Sequence, residues 1–289
     1  MLRFSLKAGL VRGLAVLVFG LLSIPAWSAD QRLSFGLGFE FATGDYGTDT
    51  TTDSIRVPLT VGYYPSDRVD LSLEIPYIYQ SSGTTVSLGG IRFPGDSDMG
   101  SGLDGGGGSG MMGDFGGGSS TDAEDRTESR SGLGDITLTA GYTMLKESAA
   151  IPLVRPIAYV KFPTADEDEG LGTGEFDLGG GLSLAKWFGR WSTYVEGMYI
   201  APGSSSDFEP DNYWTYLGSL SYRFTDYLSS GLALSGATAA FDGAPDALEA
   251  KARINYWTSE RASLGGYIGK GLSDGSPDYG MGVFGAISW

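Results

Sequence analysis

The chain has 289 residues, with 19 Lys and Arg against 35 Asp and Glu, a formal charge of −16, and neither Cys nor His. Disulfides, thiolate nucleophiles, Cys- or imidazole-ligated metal sites and His-based catalytic triads are therefore excluded. The acidic balance argues against nucleic acid as a partner, because phosphate binding needs clustered bases.

Residues 1–29 come first. Arg3, Lys7 and Arg12 are basic, an apolar run extends from Leu14 to Leu22, and the small residues Ala26, Ser28 and Ala29 follow. This is the layout of a secretory signal peptide, expected to be cleaved after Ser28 or Ala29. Its apolar run is about half the ~20 residues that a membrane-spanning helix needs. Its removal takes the charge from −16 to −19.

Beyond it, apolar and polar residues alternate. Leu33, Phe35, Leu37, Phe39 and Phe41 form one face of the first segment, with Arg32, Ser34, Gly36, Gly38 and Glu40 on the other. The same alternation gives Ile55, Val57, Leu59, Val61 and Tyr63, then Val69, Leu71, Leu73, Ile75, Tyr77 and Tyr79, then Ile136, Leu138, Ala140, Tyr142 and Met144. Period two is the mark of strands. Further strands are expected near 149–163, 174–187, 190–201, 212–224, 226–238, 246–258, 260–271 and 278–289, twelve in all. They are longer than the ~5–6 residues usual in soluble sheets and match the length that tilted strands need to cross a bilayer.

The connections alternate too. Pro65 to Asp67, Lys146 to Ala149, Phe188 to Arg190, Thr225 to Asp226 and Thr258 to Glu260 are short, whereas 43–53, 82–131, 164–173, 202–211, 239–246 and 272–277 are longer and acidic. Short periplasmic turns and longer external loops are the layout of bacterial outer-membrane barrels. The expected fold is therefore all-β, a transmembrane antiparallel up-and-down barrel of about 12 strands. It would sit in the outer membrane of a Gram-negative cell with both termini periplasmic.

In such a barrel the apolar face meets lipid and the polar face lines the lumen. The expected lumen-lining set is Arg32, Glu40, Arg56, Asp70, Glu74, Asp135, Arg155, Lys161, Asp177, Glu196, Arg223, Glu249, Lys251 and Arg253. Two arrangements are open: opposed ladders around a narrow wet pore, or pairs that close the lumen. Ile157, Tyr159, Met198, Tyr213, Leu217 and Phe284 also fall on the inward face and could supply an apolar pocket. Tyr63, Tyr77, Tyr142, Trp191, Tyr199, Trp214, Tyr256 and Trp289 fall on the apolar face near strand ends, as interfacial girdles require.

The 82–131 connection holds 11 Gly within residues 99–118. Gly and Ser at this density behave as flexible coil. An external loop without a single structure and a plug folded into the lumen are both open. A Ca²⁺ site lacks the nine-residue repeat of calcium-binding β-helices, and Cu(I) would have only Met99, Met111 and Met112. No metal or cofactor is expected.

The last strand places Tyr279, Met281, Val283, Gly285, Ile287 and Trp289 on one face. It resembles the terminal strand of outer-membrane barrels, which ends on an aromatic, usually Phe, and is recognised by the barrel-assembly machinery. A closer resemblance lies in two stretches, Ser131 to Leu145 and Lys161 to Trp191. Gly134-Asp135, then Lys161, Pro163 and Thr164, then Leu171-Gly172-Thr173-Gly174 are similar to motifs of the MetA-pathway of phenol degradation family, with Ala165 where that family has Gly. The resemblance implies an outer-membrane barrel transporter, sometimes encoded with aromatic-catabolism genes.

The expected function is passive passage of small solutes, aromatic or hydrophobic compounds among them. The partners would be outer-membrane lipid, the assembly machinery and the solute. A structural or surface-interaction barrel is the alternative. No enzymatic activity is expected, since no His serves as a base and no Ser or acid stands out.

Overall fold

The computed structural model describes residues 32–48, 50–81, 129–204 and 209–289, together with the backbone of 85–88 and 91–94. The expected signal segment and the glycine-rich 99–118 segment lie outside the described residues.

The strands are β1 (Leu33–Gly44), β2 (Thr52–Ser66), β3 (Val69–Gln80), β4 (Thr85–Leu88), β5 (Ile91–Pro94), β6 (Arg130–Leu133), β7 (Ile136–Tyr142), β8 (Leu153–Phe162), β9 (Asp177–Phe188), β10 (Trp191–Ala201), β11 (Tyr213–Arg223), β12 (Leu228–Ala237), β13 (Ala247–Trp257), β14 (Ala262–Gly271) and β15 (Tyr279–Ser288). Each barrel strand pairs antiparallel with its sequence neighbours, and β1 pairs with β15 to close the ring. β6 and β7 both pair with β3 and form one stave, so the barrel has twelve. β4 and β5 pair only with each other, as a hairpin in the long connection. A closed ring satisfies every ladder without leaving an edge in lipid.

The β6–β7 stave carries a bulge. Tyr77 faces Leu133 and Glu74 faces Thr137, so Ile75 and Pro76 stand opposite three residues, Gly134, Asp135 and Ile136. The Gly134 N–H still reaches the Pro76 carbonyl at 2.8 Å. An extra residue reverses the alternation, which places both Gly134 and Asp135 on the buried side.

The faces sort as period two requires. Leu37, Leu232 and Ile268 on the outer face are 58%, 67% and 68% exposed, whereas Asp70, Arg155 and Lys161 on the inner face are buried. An outward apolar surface of this extent around a closed barrel is a lipid-facing surface. Aromatic pairs mark both rims. Trp191 contacts Tyr222 at 4.9 Å and Phe35 stacks on Trp289 at 5.1 Å at the short-turn end, while Tyr199 meets Trp214 at 5.1 Å at the other.

Most strand ends agree with the sequence reading to within two residues, but the alternation read to Met144 ends as a strand at Tyr142, the strand expected from 174 starts at Asp177, and the largest correction lies between them. The strand expected from 149 starts at Leu153, so the connection after β7 runs over 143–152 and is longer than its counterparts. Pro152 has no N–H for a ladder. A single bridge between Leu145 and Val154 and the Ser148 N–H to Ile151 carbonyl bond shape the segment instead. Gly189-Arg190, by contrast, is a two-residue hairpin between Phe188 and Trp191. Gly189 takes φ 64° there, which such turns favour at their first position.

Candidate functional site: the lumen

β8 forms the spine of the lumen. Leu153, Arg155, Ile157, Tyr159 and Lys161 alternate onto its inner face, and all five are buried. With their neighbours they divide the interior into four layers.

At the short-turn end, Leu153 packs with Ala185 and Tyr194, with Trp187 and Leu217 against them. Above lies a polar layer. Arg155 Nε donates to Asp70 Oδ1 at 2.8 Å, and Nη2 bonds the other carboxylate oxygen. Glu196 accepts the Tyr194 hydroxyl. The third layer is apolar: Ile157, Tyr159, Met198, Ile200, Tyr213, Ala237 and Ala240, with Phe241 packed on them. The fourth, at the long-loop end, centres on Lys161. Its Nζ lies 3.0 Å from Asp177 and 3.3 Å from Asp135 and donates to Thr173 Oγ1 at 2.6 Å.

This last layer ties a loop into the barrel. Asp135 Oδ1 accepts the N–H groups of Thr164 and Ala165 at 3.1 and 3.0 Å. Thr164 Oγ1 donates to the Gly134 carbonyl at 3.1 Å and accepts the Ile136 N–H at 2.9 Å. Arg130 Nη1 donates to the Asp168 carbonyl at 2.8 Å. Leu171 and Thr173 are consequently buried. At Gly172 a Cβ would come within 2.6 Å of both Asp135 Oδ2 and the Ala165 Cβ, so the loop approaches this closely only with glycine there.

Across the lumen, Arg56 sits 3.0 Å from Glu40 and also pairs with Glu74. Lys251 pairs with Glu249 at 2.9 Å and lies 5.3 Å from the centre of the Tyr267 ring. Pairing offsets the desolvation that makes a lone buried charge costly. Arg253 shares the inner face of β13 and is half-buried, as is Arg223 near the short-turn end of β11. Arg32 stands one residue before β1, exposed at the rim, where its N–H donates to the Trp289 carbonyl.

Of the apolar residues assigned inward from sequence, Ile157, Tyr159, Met198 and Tyr213 meet in one cluster, Leu217 joins the lower layer, and Phe284 is half-buried on β15. Ile200 carried the same alternation as Met198 and was missed. Leu171, Thr173, Ala240 and Phe241 lie in connections, where no periodicity marks a direction.

The family described as "Putative MetA-pathway of phenol degradation" matches residues 88–289. Among solved structures, an outer membrane channel from Pseudomonas putida F1 is similar with a TM-score of 0.63 at 16% identity, covering 99% of this chain and 100% of that one. The KdgM porin in complex with disordered oligogalacturonate gives 0.51 at 9% identity, covering 89% and 99%. The NanC porin gives 0.50 at 11% identity, covering 88% and 98%. No curated protein sequence matches. At these identities the structural likeness bears on the fold, a closed outer-membrane barrel.

Proposed function

This chain belongs to the family of the MetA pathway of phenol degradation, and from that premise we propose that it passes small apolar solutes, aromatic compounds among them, across the outer membrane through its lumen. The observation that carries this reading is the inward apolar layer around Met198 and Tyr213. Lumens of water-filled channels are polar. Here the buried cations Arg155 and Lys161 are engaged with carboxylates, while uncharged side chains, mostly apolar, occupy the layer between them. A hydrocarbon-like solute gains from leaving water for such a surface.

In this reading the short turns and both chain termini face the periplasm, and the acidic connections, including Asp166 to Glu169, face outward. The β15 strand, followed by Trp289, is the segment handed to the barrel-assembly machinery. The proposal assigns the chain no chemical reaction.

The test is uptake of a radiolabelled monoaromatic hydrocarbon by cells that lack or carry the gene. Faster entry with the gene supports the proposal, and equal entry overturns it. Equal entry together with no discrete conductance in planar bilayers would favour a structural or surface-interaction barrel.

A further inference from the structure

Tyr159 Oη and Arg155 Nη1 are buried and have no hydrogen-bond partner among the described residues. Asp70 takes the Nε and Nη2 groups of Arg155 and leaves Nη1 over. Both donors stand on the inner face of β8, four residues or about 13 Å apart along the strand, with Ile157 between them. A buried donor without an acceptor carries a desolvation cost that an incoming acceptor removes.

Charge narrows the class of acceptor. Arg56 faces Glu40 and Glu74, and Lys161 faces Asp135 and Asp177, one base against two acids in each group. Asp70, Arg155 and Glu196 repeat that ratio in the middle layer. Lys251 and Glu249 balance, and Arg253 and Arg223 add two bases, which leaves the inner face close to balance at seven acids against six bases. The apolar layer between Arg155 and Lys161 carries no charged side chain, so a carboxylate crossing it gives up its hydration in a region of low dielectric. An uncharged oxygen loses far less.

We infer that the lumen selects uncharged apolar solutes that carry an acceptor oxygen, a ketone, ester, ether or alcohol, with Tyr159 as the specificity-determining residue and Arg155 as a second station on the path. This rests on the proposed passage of apolar solutes and adds a discrimination to it. The apolar body of the solute moves along Ile157 and Met198 while its oxygen bonds first the phenol and then the guanidinium.

Acetophenone, cumene and benzoate are near-isosteric and differ only in this respect. The experiment measures their entry into cells that carry the full chain, after subtracting entry into cells that lack it. Acetophenone is expected to enter faster than cumene, and benzoate least. Tyr159→Phe keeps the ring and removes one oxygen, so the ratio of acetophenone to cumene entry should fall about threefold to tenfold, the effect of one neutral hydrogen bond. Equal loss for acetophenone and cumene, no loss for either, or benzoate entering as fast as acetophenone overturns the selection while leaving apolar passage standing. Absence of chain-dependent entry for both neutral probes overturns the passage itself. If heat-modifiable migration shows that Tyr159→Phe does not fold, competition in the unaltered protein decides. Acetophenone should then suppress cumene entry at a lower concentration than tert-butylbenzene does, and equal suppression overturns the inference.

Discussion

Lys161 Nζ lies 3.0 Å from Asp177 Oδ2 with both side chains wholly buried, and the two residues are also cross-strand partners of β8 and β9. Asp135, from the bulge after β6, completes the group. Three consecutive staves thus close on one ammonium. They are the segments whose motifs resemble the family.

Lys161→Met should therefore cost more than a surface ion pair. It leaves Asp135 and Asp177 facing each other without a counter-charge, at a cost of about 3–5 kcal/mol. Urea unfolding of the detergent-folded protein checks the magnitude. Glu167 and Glu169 are already exposed, so release of the 163–176 connection should speed cleavage after them by a glutamate-specific protease, which needs a mobile backbone. Unchanged cleavage would show that the loop is held by something else.

Arg155 and Asp70 allow a cleaner separation. Arg155→Leu alone strands a buried carboxylate and should destabilise by about 3–5 kcal/mol. Adding Asp70→Leu should restore part of that loss, since the pair is then gone while Glu196 in the same layer still lacks a counter-charge. Unfolding midpoints of the two single variants and the double variant give the coupling. Additive losses would mean that the bidentate contact contributes little.

Leu232 tests what surrounds the barrel. It lies mid-strand on the outer face of β12 and is 67% exposed. Leu232→Arg should cost about 2–4 kcal/mol if that face meets hydrocarbon. On a water-facing strand the same change stays within about 0.5 kcal/mol. Folding measurements in lipid vesicles distinguish the two.

Two glycines on opposite faces should behave oppositely. At Gly181 a Cβ would lie 2.3 Å from the Gly197 carbonyl oxygen and 2.4 Å from Met198 Cγ, whereas at Gly218 nothing lies within 4 Å. Gly181→Ala should cost about 1–3 kcal/mol by overpacking, and should slow entry of apolar solutes. Gly218→Ala should leave both unchanged. Thermal unfolding and hydrocarbon uptake, measured side by side, read the contrast.

Much of this architecture was legible in the alternation of side chains. Period two sends Arg56, Glu74 and Lys251 to one side of their strands whatever those strands pair with, so the faces could be assigned before any partner was known. The bulge was not legible, because an extra residue at Gly134-Asp135 interrupts the pattern that would reveal it. The late start of β8 was hidden for a similar reason: residues 149–152 carry apolar side chains without the ladder that Leu153 begins.

The twelve staves and the sorting of greasy from ionisable side chains follow from the alternation within each strand, which needs no partner to be read. Only the tertiary structure decided which acid meets which base, and that Leu171 and Thr173 turn into the lumen with the loop that carries them. Those choices depend on the register between strands and on the curvature of the closed ring, which bring Asp135, Lys161 and Asp177 together across separate segments. No local pattern encodes that meeting.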